Sequence, residues 1–255
     1  MTQQRVLITA GAGGIGWAIA EAFLNSDSLV HIVDVNPEAV AKVSGTHQNL
    51  SASIGDVTSR EDIAALAKDL ESRWGGLDVL VSNAGIAGPT TPVEEYDAEA
   101  WDAVVGINLT GSFNVVQHFV PLLKASGNGG SILVMSSLAG RFGYANRIAY
   151  SATKWGLVGF TKTLSLELGP HGITVNSIHP GAVNGPRVDQ VFEGRAAVSG
   201  RSVEEEREAG LSNQSIKKFT DPEDIAALAV FLAGPHARTI SGQQFPIDGD
   251  SKAAQ

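Results

Sequence analysis

Short, uninterrupted apolar runs alternate along this chain with longer segments of helical periodicity, and that alternation limits the possible folds more than any other feature. Val79-Leu80-Val81 and Ile132-Leu133-Val134-Met135 contain no polar residue, as strands covered on both faces require. Strands are expected at 5–9, 28–34, 50–54, 78–82, 130–136, 172–177 and 243–247. Helices are expected at 14–24, 59–73, 98–124, 147–168 and 221–233, with a weaker one at 37–43. Strand–helix alternation of this kind builds a parallel sheet with right-handed crossovers. The expected fold is therefore α/β: a doubly wound sheet of about seven strands with helices on both faces. No linker, repeat or low-complexity tract divides the 255 residues, so one domain spanning 1–255 is expected.

Composition excludes several functions. The chain has 18 Lys and Arg against 27 Asp and Glu, a net charge of −9. This charge argues against nucleic acid or an anionic membrane as a main partner. With no cysteine, disulfides, thiolate catalysis and cysteine metal sites are ruled out. No His/Asp/Glu cluster suggests a metal. No apolar run approaches the roughly 18 residues of a membrane span. Arg5-Val6-Leu7-Ile8-Thr9 already reads as the first strand, so a signal peptide is not expected and the cytoplasm is the expected location.

One region interrupts the alternation. Residues 186–219 carry Pro186-Arg187, Glu193-Gly194-Arg195, Ser199-Gly200-Arg201 and the charged run Glu204 to Glu208. A long insertion after the carboxyl end of a strand reads as a substrate lid, since ligands sit at that edge of open α/β sheets. The alternative is a solvated helix pair with no ligand role.

The stretch Ile8-Thr9-Ala10-Gly11-Ala12-Gly13-Gly14-Ile15-Gly16 follows the first strand and opens a helix. Glycines there allow a tight turn and close approach of the backbone to a pyrophosphate, which the helix amino terminus attracts. Asp34 ends the second apolar run, 18 residues beyond Gly16. A carboxylate there can accept hydrogen bonds from both hydroxyls of an adenosine ribose and repel a 2′-phosphate. Val35, Asn36 and Pro37 follow it and the glycine turn holds no Arg or Lys, so NAD is expected over NADP. Asp34 could instead cap the next helix. Asp56-Val57 either places a carboxylate near the adenine or starts the next helix as a turn.

Tyr150 and Lys154 lie four apart on an expected helix and share one face. A tyrosine with a pKa near 10 is a poor base at neutral pH, and a close cation favours its phenolate. The pair is a candidate general acid/base, although Tyr-x-x-x-Lys alone also occurs in ordinary amphipathic helices.

The pair does not stand alone. Thr9 to Gly16, Asp34, Asp56, Ser82-Asn83-Ala84-Gly85, Asn108, Ser136-Ser137-Leu138-Ala139-Gly140, Tyr150-Ser151-Ala152-Thr153-Lys154 and Pro180-Gly181 occur in this order. In that order and spacing the chain resembles the short-chain dehydrogenase/reductase family, of the single-domain type termed classical, from Arg5 to about Gly249. The resemblance implies a Rossmann-like fold and an NAD-dependent oxidoreductase. It implies that Tyr150 exchanges the proton at the substrate oxygen and that Lys154 holds the nicotinamide ribose. Ser137, selected over Ser136 by its 13-residue distance from Tyr150, would orient the substrate carbonyl. Asn108 would hold a water linking Lys154 to solvent, unless it is only an interior amide bonded to backbone. Asn83, Ala84 and Gly85 would line the cofactor's path, or form a structural turn, or both. Gly11, Gly13, Gly14, Ile15 and Gly16 would cradle the pyrophosphate, and Pro180, Gly181 and the Val183 N–H would border the nicotinamide.

Three positions depart from the family pattern. Ala10 stands where the family usually has Gly, Ser82 precedes Asn83 where Asn is common, and Gly185 takes the place of a usual Thr. The first bears on the shape of the turn and the last on how the nicotinamide is anchored.

Leu138, Arg141, Phe142, Arg147, Trp155, His179, Asn184 and Arg187 fall in segments that border the expected substrate site. Arginines there suit an anionic substrate; alternatively they face solvent or a neighbouring subunit. His179 is either a pocket wall or a buried, satisfied ring. The helices at 98–124 and 147–168 are apolar on more than one side and call for a second packing partner. The family commonly pairs copies through these helices, so a homotetramer or homodimer is expected.

The resulting expectation is an NAD-dependent alcohol dehydrogenase or ketone reductase acting on a secondary alcohol such as a polyol, sugar or hydroxy acid. A 3-oxoacyl thioester reductase is the alternative in the same class. A non-catalytic NADH-binding scaffold has no chemical need for Ser137, Tyr150 and Lys154 together. A lyase on the same fold, such as a halohydrin dehalogenase, would lack Lys154 and the dinucleotide turn.

Overall fold

A computed structural model describes residues 3–127 and 129–253, apart from the side chain of Arg187. The strands are β1 (Arg5–Thr9), β2 (Leu29–Asp34), β3 (Leu50–Ile54), β4 (Val79–Ser82), β5 (Gly130–Met135), β6 (Ile173–Pro180) and β7 (Gln244–Ile247). They form one parallel sheet in the order β3-β2-β1-β4-β5-β6-β7. The order reverses between β1 and β4, so the crevice at their carboxyl ends is the place where this kind of sheet takes a ligand.

The helices are α1 (Gly14–Asn25), α2 (Pro37–Val43), α3 (Arg60–Trp74), α4 (Ala98–Val105), α5 (Ser112–Ala125), α6 (Ile148–Leu168), α7 (Pro186–Ser199), α8 (Val203–Ser212) and α9 (Pro222–Ala233). The two-residue pleat sends Val6 and Ile8 of β1 to one face, where they join Ile19 and Phe23 of α1 and Ile225 and Leu232 of α9. Leu7 points to the other face and joins Leu70 of α3, Phe119 of α5 and Leu157 of α6. The sheet is thus covered on both sides, which is why its central strands carry no polar alternation. This is the Rossmann-like, doubly wound, single-domain fold. Among the described residues no helix is long and apolar enough to cross a membrane.

Three differences from the expected elements matter for the site. The helix expected at 98–124 is two α-helices joined by a π-helical turn at Gly106–Gly111 that contains Asn108. Apolar spacing does not reveal a widened turn; what accompanies it is Gly111, where a Cβ would come within 2.6 Å of Val57. Strand β6 runs on to Pro180 rather than stopping at 177. Proline is tolerated there because β5 has ended and the last pairings of β6 are with β7 alone. The insertion is a helix pair, α7 and α8, with Ser202 and Glu205 forming a reciprocal cap at the start of α8. Val188, Phe192 and Phe219 give it a small apolar cluster of its own.

Candidate active site

The turn after β1 is built to expose backbone. Gly13 caps α1 with no side-chain hydrogen bond, and the first turn of α1 carries no acidic residue. A Cβ on Gly13 or Gly14 would meet nothing within 4 Å, and Gly14 has φ +52°. Free helix N–H groups facing open space form an anion cradle, so this turn fits a dinucleotide pyrophosphate. Gly11 and Gly16 do something different: Cβ atoms there would strike Ile32 at 2.6 Å and the Ala10 carbonyl at 2.2 Å. They let the turn close against β2 and the helix start. Ala10, at the departure from the family pattern, has φ +49°, in the left-handed region that glycine adopts without strain.

The turn is held by its neighbours. The Asn83 side chain donates to the carbonyls of Thr9 (3.0 Å) and Ala10 (3.2 Å). The Thr9 hydroxyl accepts from the N–H groups of Asn83 and Ala84. Asp34 accepts from the Ala12 N–H at 3.1 Å and from the Asn36 N–H at 3.0 Å. Asp34 does not cap α2; Asn36 does, accepting from Glu38 and Ala39. Asp56 accepts from Thr58 in a local turn, while Ser59 caps α3. The Val57 side chain is core, and its carbonyl accepts from the buried Asn114 amide.

A cavity of about 370 Å³ runs from this turn to α6 and the insertion. Ala10, Gly13, Gly14 and Ile15 line one end; Ser137, Leu138, Tyr150 and Lys154 line the other. Lys154 is buried, and its ammonium donates to the Met135 carbonyl at 2.8 Å. It lies 5.6 Å from the centre of the Tyr150 ring. The hydroxyls of Ser136 and Ser137 differ in use. Ser136 donates to the Lys154 carbonyl, tying β5 to α6. Ser137 accepts from the Ala139 N–H at 3.1 Å, which leaves its own proton for another acceptor.

Asn108 is fully buried in the π-helical turn. Its amide oxygen accepts from the Ile86 N–H at 2.8 Å, and its nitrogen donates to the Ile86 carbonyl and the Thr153 hydroxyl. A Cβ on Gly85 would lie 3.1 Å from that oxygen and 3.4 Å from the Lys154 nitrogen, so both groups converge on Gly85.

His179 is a buried, satisfied ring. Its Nδ1–H donates to the Ser137 carbonyl at 3.0 Å, and its Nε2 accepts from the Ser177 hydroxyl at 2.8 Å. Burial, reinforced by the charges of Arg141 and Lys154 and opposed by the bond to Ser137, lowers its pKa to about 4. With both nitrogens engaged, the ring braces the backbone of Ser137.

The arginines separate. Arg147 is buried in the cavity wall, with its guanidinium carbon 5.0 Å from the Tyr150 ring centre. Arg141 is not brought to the cavity; it pairs with Asp248 at 2.9 Å. Arg187 lies in α7, its side chain outside the described set. Asn184 reaches the cavity edge and donates to Asp221. Pro180, Gly181 and Val183 also border the cavity. Tyr144 and Phe192 line it as well, as does Arg195 of the expected lid segment, none of them among the residues the sequence places at the substrate site. The signal existed: Val188, Phe192 and Arg195 repeat at the spacing of one helix face once 186–199 is read as a helix. Among the described residues no group of three or more His, Asp or Glu is placed to hold a metal.

Comparison with known proteins settles the class. A family profile described as Enoyl-(Acyl carrier protein) reductase matches residues 10–249. The D-beta-hydroxybutyrate dehydrogenase of Cupriavidus necator is 34% identical over 248 residues, covering 95% of each chain. The chain belongs to the short-chain dehydrogenase/reductase family. The 3-oxoacyl-[acyl-carrier-protein] reductase FabG of Thermotoga maritima is also 34% identical, over 95% of each chain. The crystal structure of an NAD+-bound xylitol dehydrogenase superposes with a TM-score of 0.92 at 27% identity, covering 96% of this chain and 98% of that one. As a short-chain dehydrogenase/reductase, this protein is an oxidoreductase of alcohol and ketone groups that uses a nicotinamide cofactor and a small-molecule substrate.

Proposed function

We propose that the protein transfers a hydride between NAD(H) and a secondary alcohol or its ketone, with Tyr150 as general acid/base. One observation carries this reading: a single cavity joins the bare glycine turn at one end to Ser137, Tyr150 and Lys154 at the other. Bound along that cavity, the nicotinamide would supply the hydride acceptor or donor. The chain's own residues handle the rest. The Ser137 hydroxyl donates to the substrate oxygen and orients it. Tyr150 takes the proton from that oxygen in oxidation and returns it in reduction. Lys154 and Arg147 place positive charge beside the ring whose oxygen is negative before it takes the proton in oxidation and after it gives the proton in reduction. Asn108 anchors the Gly85–Ile86 backbone against Lys154, and we assign it the water that relays the proton outward.

Asp34 supports NAD over NADP, because its carboxylate would face any 2′-phosphate on the ribose and no cation stands next to it in sequence. Gly13, Gly14 and Ile15 supply the pyrophosphate cradle, with Asn83, Ala84 and Gly85 along the path. Asp56 and Val57 are assigned to the adenine through backbone and carboxylate, since the Val57 side chain is in the core. Residues 186–219 are assigned as a lid because α7 and α8 contribute Phe192, Arg195 and Gly210 to the cavity wall. Phe113, Ile148 and Trp155 lie exposed on α5 and α6, which supports a homotetramer or homodimer paired through those helices; the cytoplasm is the location we assign to it. Light scattering would test the stoichiometry.

The test is NADH formation from NAD+ with a panel of polyols, sugars and hydroxy acids, run beside 3-oxoacyl thioester reduction. Turnover of a secondary alcohol supports the dehydrogenase reading. Reduction of the thioester alone supports the relative from Thermotoga maritima as the better guide. Tight NADH binding with neither activity leaves a binding scaffold.

A further inference from the structure

The substrate end of the cavity is cationic in a chain of net charge −9. The charged side chains lining it are Arg147, Lys154 and Arg195, and no Asp or Glu lines it among the described residues. Lys154 is used beside Tyr150. Arg147 is fixed by bonds to the Ala87 carbonyl (3.1 Å) and the Thr90 hydroxyl (3.4 Å). Arg195, on α7, is different. Its Nε is buried with no hydrogen-bond partner, and it makes no ion pair among the described residues. Its neighbours on the insertion are paired: Arg201 with Glu206 at 3.7 Å, and Arg207 with Asp189. Burial lowers the Arg195 pKa to about 10, with Glu206 opposing, so the group stays charged at neutral pH.

Position gives this charge a use. The Arg195 guanidinium carbon lies 5.0 Å from the Tyr144 ring centre and that of Arg147 lies 5.3 Å from it. Arg147 in turn lies 5.0 Å from the Tyr150 ring. Two guanidiniums therefore flank one aromatic ring beside the reacting tyrosine. A half-buried guanidinium whose nearby counter-charge, Glu206, forms no ion pair with it among the described residues is under-compensated, and an arriving anion supplies the missing partner. The guanidinium fork suits a carboxylate, which it can hold through two parallel bonds.

We propose that the substrate is a short hydroxy acid, or its oxo acid, whose anionic group is held by Arg195 with Arg147. The proposal builds on the assignment of Tyr150 as the reacting group and names the substrate class for that site.

Two measurements test it. In the first, 3-hydroxybutyrate is compared with its methyl ester, with 2-hydroxypropanesulfonate and glycerol 3-phosphate as arms for other anionic groups. The acid is expected to exceed the ester at least ten-fold in kcat/KM. Arg195→Gln should shrink that preference at least ten-fold and Arg195→Lys should restore part of it. Preference for the sulfonate or phosphate over the carboxylate would overturn the hydroxy-acid assignment. So would an equal rate for acid and ester, or a loss in Arg195→Gln that appears in NADH affinity, which would make Arg195 a ligand of the cofactor's phosphates. In the second, methylmalonate and its dimethyl ester are titrated by calorimetry into the protein–NADH complex, without turnover. Binding of the acid alone, weakened at least ten-fold in Arg195→Gln, supports the anion site even if no alcohol in the panel is oxidised, in which case only the dehydrogenase reading falls. Turnover of neutral alcohols with no methylmalonate binding overturns the anion site and leaves the dehydrogenase intact.

Discussion

The Asp34 carboxylate accepts the Ala12 N–H at 3.1 Å, joining the end of β2 to the glycine turn across 22 residues of sequence. One side chain thereby shapes the turn and, in the proposed binding mode, presents negative charge to the cofactor's ribose. Asp34→Ala removes both effects. The ratio of kcat/KM for NAD+ over NADP+ is expected to fall by about 10- to 100-fold, roughly 1.4 to 2.7 kcal/mol. Steady-state kinetics with both cofactors check this, and an unchanged ratio would remove Asp34 as the discriminating group.

Tyr150→Phe keeps the ring against Arg147 and Lys154 and deletes the proposed proton carrier. Turnover should fall by about 10²- to 10⁴-fold, the range of general acid/base catalysis. NADH affinity, read by fluorescence titration, should stay within about two-fold. Ser137→Ala should lower kcat less. Ser136→Ala should act on stability instead, because its hydroxyl bonds the Lys154 carbonyl.

Two buried histidines predict acid sensitivity. Burial, with help from Arg73, lowers the pKa of His31 to about 4, and His179 is likewise lowered to about 4 by burial. Both stay neutral in the folded protein at pH values where the unfolded chain, with an ordinary value of 6.5, takes up a proton. The unfolded state binds more protons in that window, so stability is fully present above about pH 6.5 and declines as pH falls towards 4. Each ring contributes on the order of 3 kcal/mol. Urea titrations at pH 7, 5.5 and 4.5 should show the loss, and His179→Gln should flatten part of it.

Two backbone positions make opposite predictions. Ala10, at φ +49°, carries strain that glycine would relieve, and Ala10→Gly should raise stability by about 1 kcal/mol. Gly185, at φ +136°, occupies a region open essentially to glycine alone. Gly185→Thr, towards the usual family residue, should cost about 1 to 3 kcal/mol and shift the start of α7. Thermal melts distinguish the two.

The architecture, and most of the residues proposed for the site, are legible in the sequence. Continuous apolar strands, periodic helices, the glycine turn, Asp34 and the Tyr150–Lys154 spacing are all local patterns, and local patterns follow from the pleat and the helical repeat. The rest depends on distant segments meeting. Asp34 reaches Ala12, Asn108 reaches Ile86, and His179 reaches Ser137. Arg141 leaves the cavity for Asp248, and Arg195 enters it from α7. A side chain's partner is set by the packing of whole elements, and an arginine looks the same in sequence whether its charge is met by a carboxylate or left facing a cavity.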